Sequence, residues 1–298
     1  MDLSRNQFDV LTFLEKTHET KDPTQRAVAR GTGLSLGTVN KTIFQLTELD
    51  FLDGLRVSQK GLKALEPYRV KRAVFIAAGF GSRMVPVTLN TPKALIRVKG
   101  VRIIDSLLDA VVAAGIEEIV LVRGYLREQF DQLLLKYPMI SFFENPSYNE
   151  SNNISSATCV RNLLKNAYVF EGDLLLKNPK LITKYQYTSN YLGVPVEVTD
   201  DWCFETKNGI ITKIKVGGRS CYRMFGISYW NETDGAKLAE HIKQVYEMPG
   251  GKERYWDQVP LEYHIKDYKV EIRECTVDDI TEINTFSELR QLDETYRV

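Results

Sequence analysis

The run Ala73-Val74-Phe75-Ile76-Ala77, followed at once by Ala78-Gly79-Phe80-Gly81-Ser82-Arg83-Met84, constrains this chain more than any other stretch. A short unbroken apolar run has the length and composition of a strand buried on both faces, which belongs in a parallel sheet. A glycine-rich turn directly after such a strand lets backbone N–H groups approach a phosphate chain with no Cβ in the way. Arg83 and Lys93 add the positive charge that a triphosphate needs. The spacing is not the dinucleotide fingerprint, because the third glycine of G-x-G-x-x-G falls at Met84, and no Gly-Lys-Ser/Thr follows to make a Walker loop.

The full motif is longer than a glycine pair. Gly79-x-Gly81-x-Arg83-x-x-Pro86-x-Thr88, continued by Thr91-Pro92-Lys93-Ala94-Leu95, resembles the signature of nucleotidyltransferases that join NTPs to sugar phosphates or phospho-alcohols. From Ala73 onward helical and strand patterns alternate: an amphipathic helix over Ile104 to Ala114 ending at Gly115, a strand at Ile119–Val122, a Gly124-Tyr125 turn and a helix over Leu126 to Lys136. A strand at Ser141–Phe143, a helix over Asn153 to Leu164 and a strand at Tyr168–Phe170 lead to Glu171-Gly172-Asp173. This succession predicts an α/β fold with a doubly wound, mostly parallel sheet and ligands at the strand carboxyl ends. Downstream, Asp201–Glu205 and Ile210–Val216 read as a hairpin, Met224–Trp230 as a further strand, Glu232–Tyr246 as a helix, and Lys269–Ile272 as a strand before a terminal helix.

The first seventy residues read differently. Phe8, Leu11 and Leu14 share a helical face, Thr24–Arg30 forms a short helix closed by Gly31-Thr32-Gly33, and Ser35 caps a third helix with Leu36, Val39, Ile43 and Leu46 inward. Asp53-Gly54 between two short apolar runs signals a hairpin. This order resembles the winged-helix domains of bacterial transcription regulators, whose third helix enters the DNA major groove. The resemblance implies DNA contact by Thr38, Asn40 and Lys41; a purely structural or homodimerising role fits the pattern as well. Residues 1–68 are therefore expected to form a winged helix-turn-helix domain and residues 69–298 the nucleotidyltransferase domain, with Pro67 at the junction.

Charge does not decide between those two roles. The 39 basic and 39 acidic residues cancel. Residues 1–72 carry a net of +3 and the remainder a net of −3, which is compatible with nucleic-acid contact but modest. Four scattered cysteines without a C-x-x-C pair point to reduced thiols, not zinc or disulfides. Three separate histidines, His18, His241 and His264, show no ligand spacing and no nucleophile partner, so neither a hydrolase triad nor a His-metal site is expected. No apolar run approaches the ~20 residues of a membrane span, so a cytoplasmic protein with no membrane association is expected.

Within the second domain a narrower resemblance accumulates. Gly124-Tyr125-Leu126-Arg127-Glu128-Gln129-Phe130, Tyr148 with Asn152-Asn153, Glu171-Gly172-Asp173 and Tyr255-Trp256-Asp257 are similar to bacterial CTP:phosphocholine cytidylyltransferases. The chain departs from that family at Val85, where a basic residue is frequent, at Glu171, where Asp is usual, and in the appended first domain. The resemblance implies CTP and phosphocholine as substrates and Mg²⁺ as cofactor, held by Asp173 and Asp257. Ala78, Gly79, Gly81, Ser82, Arg83 and Lys93 would hold the nucleotide, with Gly124 and Asn153 at the cytidine, and Lys93, Arg83 and Asp173 would act in catalysis. The acceptor phosphate is already anionic, so the reaction needs charge neutralisation and alignment, not a nucleophilic side chain. A quaternary ammonium donates no hydrogen bond and is recognised by aromatic faces. Trp202 and Tyr255 stand where the resemblance places choline contacts, and Tyr229 is a third candidate. Phosphoethanolamine, 2-aminoethylphosphonate or a sugar 1-phosphate as acceptor, or a DNA-binding regulator that senses a nucleotide or choline metabolite, remain alternatives.

Overall fold

The computed structural model describes residues 2–17 and 23–297. They divide into two compact units, one of residues 1–69 joined by Tyr185–Tyr187, the other of residues 70–184 and 188–298. The division falls one residue after the expected boundary, and the three-residue return into the first unit has no sequence signal.

In the first unit, helices α1 (Arg5–Thr17), α2 (Gln25–Thr32) and α3 (Leu36–Glu48) precede a hairpin of β1 (Leu52–Asp53) and β2 (Arg56–Val57), then α4 (Gln59–Leu65). Thr24, Ser35 and Ser58 each cap the helix that follows by accepting a backbone N–H bond, which ends the preceding turns and sets the helix starts. Phe8, Leu11, Leu14, Val28, Val39, Ile43, Leu46 and Leu65 make the core, and Tyr185 joins them. Tyr187 stacks on Tyr68 with centroids 5.4 Å apart, and its hydroxyl donates to the Leu3 carbonyl at 2.8 Å. On the outer side of α3, Asn40, Lys41 and Gln45 are exposed and Phe44 is 65% exposed.

The second unit is built on a seven-stranded sheet. In chain order its elements are β3 (Arg72–Ile76), β4 (Arg97–Val98), β5 (Val101–Arg102), α5 (Ile103–Ala113), β6 (Glu118–Arg123), β7 (Ile140–Glu144), α6 (Ile154–Val160), β8 (Ala167–Glu171) and β9 (Leu174–Leu176). There follow β10 (Asn190–Lys207), β11 (Ile210–Trp230), α7 (Glu232–Glu247), β12 (Glu271–Glu274), β13 (Ile280–Glu282) and α8 (Phe286–Leu292). The sheet order is β10-β12-β11-β8-β3-β6-β7, with β7, β6, β3 and β8 mutually parallel and β11 antiparallel to β8. Alternation along each strand feeds two cores. Ala73, Phe75, Tyr168 and Phe170 pack with Leu107, Leu108 and Val111 of α5 on one face. Val74, Ile76, Val169 and Trp230 pack with Ile154 of α6 and Leu238 of α7 on the other. Both faces are covered, as the unbroken apolar strand requires. The chain runs from β3 out to β6 and β7, then returns to β8 on the other side of β3. That reversal opens a crevice at the carboxyl ends of β3 and β8.

Three expected elements differ. Leu126 to Lys136 is not an α-helix but a run of 3₁₀ turns over Arg127–Leu135, entered through Leu126 at φ +46°. Its buried Phe130 and Leu133 are spaced i, i+3, which serves either helix. The hairpin and the separate strand at Met224–Trp230 are one long two-stranded ribbon, in which Gly217 at φ +71° marks a bulge instead of an end. The strand expected at Lys269–Ile272 begins at Glu271. No helix among the described residues is long and apolar enough to cross a membrane.

Candidate active site

A cavity of about 660 Å³ opens at the crevice predicted by the strand order. The glycine turn forms one wall. Gly81 adopts φ +68°, and a Cβ there would lie 3.1 Å from Lys93 Cβ and 3.3 Å from Thr88 Cγ2, so the turn closes tightly over the lysine's own segment. Thr88 Oγ1 donates to the Gly81 carbonyl at 3.1 Å and holds it there. Nothing stands within 4 Å of a Cβ built on Gly79, whose backbone faces open space. Ala78, Gly79, Gly81, Arg83 and Lys93 all line the cavity, whereas Ser82 is exposed on the Ser82–Met84 3₁₀ turn and lies outside the lining.

The floor is acidic. Oxygens of Glu171, Asp173 and Glu282 lie within 4.8 Å of one another. Glu171 ends β8 and Asp173 lies in the turn before β9, while Glu282 arrives on β13, which pairs antiparallel with β9. Ile283 and Leu289 pack under Met84, Ile96 and Ile103 and fix that C-terminal segment beside the glycine turn. Lys93 Nζ donates to Asp173 Oδ2 at 2.7 Å and to Asn284 Oδ1 at 3.3 Å, and Arg83 Nη2 donates to the same Asn284 oxygen at 2.9 Å. Thus both sequence-predicted cations converge with Asp173, through an asparagine that the sequence did not single out.

One lysine does not balance this cluster. Burial, then Asp257, Asp173 and Glu282, hold the Glu171 carboxyl well above the usual range. Burial and the Asp173 charge push Glu282 up to about 7. Asp173 Oδ1 is buried and has no hydrogen-bond partner among the described residues. A crowded all-oxygen set with one orphaned acceptor suits a hard divalent cation such as Mg²⁺, which takes few carboxylates and completes its shell with phosphate oxygens and water. Asp173, Glu171 and Glu282 are the residues that could hold it. Gly226 is required beside them, since a Cβ there would fall 2.4 Å from Glu171 Oε2.

Of four other expected site residues, Asp257 and Asn153 line the cavity and Gly124 and Tyr229 do not. Asp257 lies close enough for its charge to act on Glu171, outside the trio whose oxygens cluster within 4.8 Å. It lies buried, accepts a hydrogen bond from the Tyr191 hydroxyl, and burial pushes its carboxyl up to about 7 even though that bond opposes the rise. Asn153 lines the cavity, but its amide donates to Glu171 Oε1 at 3.3 Å and accepts from the Trp256 N–H at 2.9 Å, so it positions the acidic floor. Gly124 sits behind Tyr148, where a Cβ would be 2.8 Å from the ring. It lets Tyr148 pack at the wall and does not line the cavity itself. Tyr229 is fully buried in the core against Tyr168, with its hydroxyl on Asn166 Oδ1 at 3.2 Å. Strand alternation turns it away from the cavity, and it is not part of an ammonium site.

Trp202 and Tyr255 do meet. Their rings lie edge to face with centroids 5.6 Å apart at the cavity mouth, beside Asp201. Tyr148, part of the resemblance quoted above, also lines the cavity. Residues missed by sequence reasoning are Glu282 and Asn284, together with a polar corner where Asn145 Nδ2 donates to Ser155 Oγ and Ser156 Oγ, each at 2.9 Å. Their separation along the chain left no motif.

Comparison with known proteins agrees with this fold. Residues 73–186 match the MobA-like NTP transferase domain. A 2-aminoethylphosphonate cytidylyltransferase of Lancefieldella rimae is 36% identical over 228 residues, 75% of this chain and 92% of that protein. A choline-phosphate cytidylyltransferase of Streptococcus pneumoniae is 31% identical over 227 residues, 75% of this chain and 97% of that protein. The solved structure of the pneumococcal CTP:phosphocholine cytidylyltransferase superposes with a TM-score of 0.71 at 30% identity, covering 76% of this chain and 99% of that one.

Proposed function

We propose that this chain, which belongs to the cytidylyltransferases of the MobA-like NTP transferase family, transfers a cytidylyl group from CTP to a small phosphoryl acceptor that carries an ammonium group. The carrying observation is the convergence of Lys93 on Asp173, within an acidic trio that faces a glycine turn. An acceptor oxygen attacks the α-phosphorus, and the bond to pyrophosphate breaks in line. The glycine turn and Arg83 hold the leaving phosphates, and Lys93 stabilises charge that builds on the α-phosphoryl group. Bound Mg²⁺ would supply neutralisation between the two anions. Glu171, Asp173 and Glu282 would hold it, and Asn153 keeps Glu171 in place.

Phosphocholine is the acceptor this reading favours, supported by the Trp202–Tyr255 corner, whose aromatic faces suit a cation that cannot donate hydrogen bonds. A second reading, 2-aminoethylphosphonate, is favoured by Asp201 at the same corner, because a primary ammonium needs an acceptor, and by the Lancefieldella relative. Pyrophosphate release measured for four NTPs crossed with phosphocholine, 2-aminoethylphosphonate, phosphoethanolamine and glucose 1-phosphate separates them. CTP with an ammonium-bearing acceptor should give the highest kcat/KM. Greatest activity on glucose 1-phosphate, or none with any pair, would refute the proposal.

For the first unit the proposal is a winged helix that contacts DNA through Thr38, Asn40 and Lys41 on α3. Support comes from the exposed polar side of that helix; the charge of residues 1–69, 10 basic against 9 acidic, adds little. Thr38 Oγ1 is bonded to Ser35 Oγ at 2.8 Å, which leaves Asn40 and Lys41 as the freer contacts. Duplex DNA retention at low salt should weaken on Lys41→Glu. Absence of any retention, with a homodimer formed through exposed Phe44, would overturn it.

A further inference from the structure

On the reading of Trp202 and Tyr255 as the ammonium corner, we propose that Gln258 is a positioning residue for the acceptor, because its side-chain amide holds Tyr255 in place. The two rings of that corner are not supported alike. Trp202 belongs to β10, where it pairs with Val216 of β11, and its backbone N–H donates to Asp201 Oδ1 at 2.8 Å. Tyr255 lies between the 3₁₀ turn Gly251–Glu253 and a π turn, Val259–Tyr263, and belongs to neither. It has no strand ladder to fix it, and it is 41% exposed.

Gln258 supplies the missing support. It lines the cavity and is only 8% exposed. Its Oε1 accepts the Tyr255 backbone N–H at 3.0 Å, and its own backbone N–H donates to the Tyr255 carbonyl at 3.1 Å. A glutamine reaching back three residues to a backbone N–H is the same device that fixes a helix start in a capping box. The other end of the amide is held as well. Gln258 Nε2 donates to Glu262 Oε2 at 2.7 Å, a bond strengthened by the carboxylate charge. With oxygen and nitrogen both engaged, the amide has one orientation, and the Tyr255 backbone is fixed by it.

This support is separate from the acidic floor. The next N–H along the chain, that of Trp256, donates to Asn153 Oδ1 at 2.9 Å, and Asn153 leads on to Glu171. Gln258 leads instead to Glu262, which is exposed and lies outside the cavity lining. Asn153 thus ties the segment to the carboxylates, and Gln258 ties the ring that meets the acceptor. Attraction between a cation and a ring requires the ring face within about 6 Å of the charge. A Tyr255 without its amide presents that face less of the time, which weakens acceptor binding and leaves CTP binding alone. Glu262, outside the cavity, acts on the acceptor through Gln258.

The test uses the full chain with CTP, MgCl₂ and whichever of phosphocholine and 2-aminoethylphosphonate gives the higher kcat/KM. Gln258→Met keeps the length of the side chain and removes both amide bonds. It should raise the acceptor KM about 3–10-fold while the CTP KM keeps its wild-type value, and amide exchange over residues 254–257 should quicken. Glu262→Ala should raise the acceptor KM about 2–4-fold, and adding it to Gln258→Met should raise it no further, since both act through one amide. An unchanged acceptor KM in Gln258→Met where Tyr255→Ala raises it, equal rises in the acceptor and CTP KM, or a full further rise in the double variant would overturn the role of Gln258 alone. An acceptor KM untouched by Tyr255→Ala would overturn the corner and the role of Gln258 together.

Discussion

Replacing Glu282 by Gln tests the acidic floor without touching its shape. In the folded chain, burial and then Asp173 push the Glu282 carboxyl up to about 7, against an ordinary glutamate at 4.5. The folded chain thus binds more protons than the unfolded chain between those values. Stability contributed by this group therefore falls as pH rises from about 4.5 to about 7, and the loss is complete above it. A gap of about 2.5 units, at about 1.4 kcal/mol each, puts the penalty near 3 kcal/mol at pH 8. Water reaches part of the side chain, so this figure is an upper one. Glutamine carries no charge at any of these pH values. In metal-free buffer, E282Q should be more stable than wild type at pH 8 by up to about 3 kcal/mol and indistinguishable near pH 4.5. Mg²⁺ should stabilise wild type at pH 8 and stabilise E282Q much less, because one ligand charge is gone. Urea unfolding followed by tryptophan fluorescence is the assay, since Trp202, Trp230 and Trp256 all lie in the second unit. An E282Q that is less stable than wild type at pH 8, or shifted equally at both pH values, would refute the repulsion argument.

Three further outcomes follow from the same site. Lys93→Ala should lower kcat by about 10²–10³-fold with fold intact, read by pyrophosphate release and circular dichroism; near-normal turnover would remove its assigned role. Trp202→Ala and Tyr255→Ala should each raise the acceptor KM by about 3–30-fold while the CTP KM stays unchanged, whereas Tyr229→Phe should leave both as they were. Gly226→Ala should drive a methyl group into the Glu171 carboxylate and weaken Mg²⁺ binding by roughly 10–100-fold, measured by titration of activity against metal.

What the sequence revealed was local. The strand at Arg72–Ile76, the glycine turn and Lys93 sit close along the chain, and Asp173 stands at the end of an evident strand, so short-range patterns disclosed them. Glu282 and Asn284 reach the same spot only because Ile283 and Leu289 pack under Met84 and Ile96, a long-range contact that no spacing rule encodes. Tyr229 shows a second limit. In a strand that crosses from core to cavity, neighbouring aromatics differ only in parity. Register against β8, which pairs Tyr229 with Tyr168, decides which face each one takes. Gly217 shows a third, because a glycine inside a strand reads alike as a terminus or a bulge.

The return of Tyr185–Tyr187 to the first unit has a consequence for how the protein is made. Tyr185 completes that unit's apolar interior, and Tyr187 covers Phe8 and Tyr68. These rings leave the ribosome more than a hundred residues after the helices they cover. The amino-terminal module therefore waits, incompletely sealed, while the β3–β8 half of the enzyme emerges. A fragment cut after residue 69 would lack both tyrosines and expose the surface they protect, so fragments of either unit should be designed around this late seal, not at the linear junction.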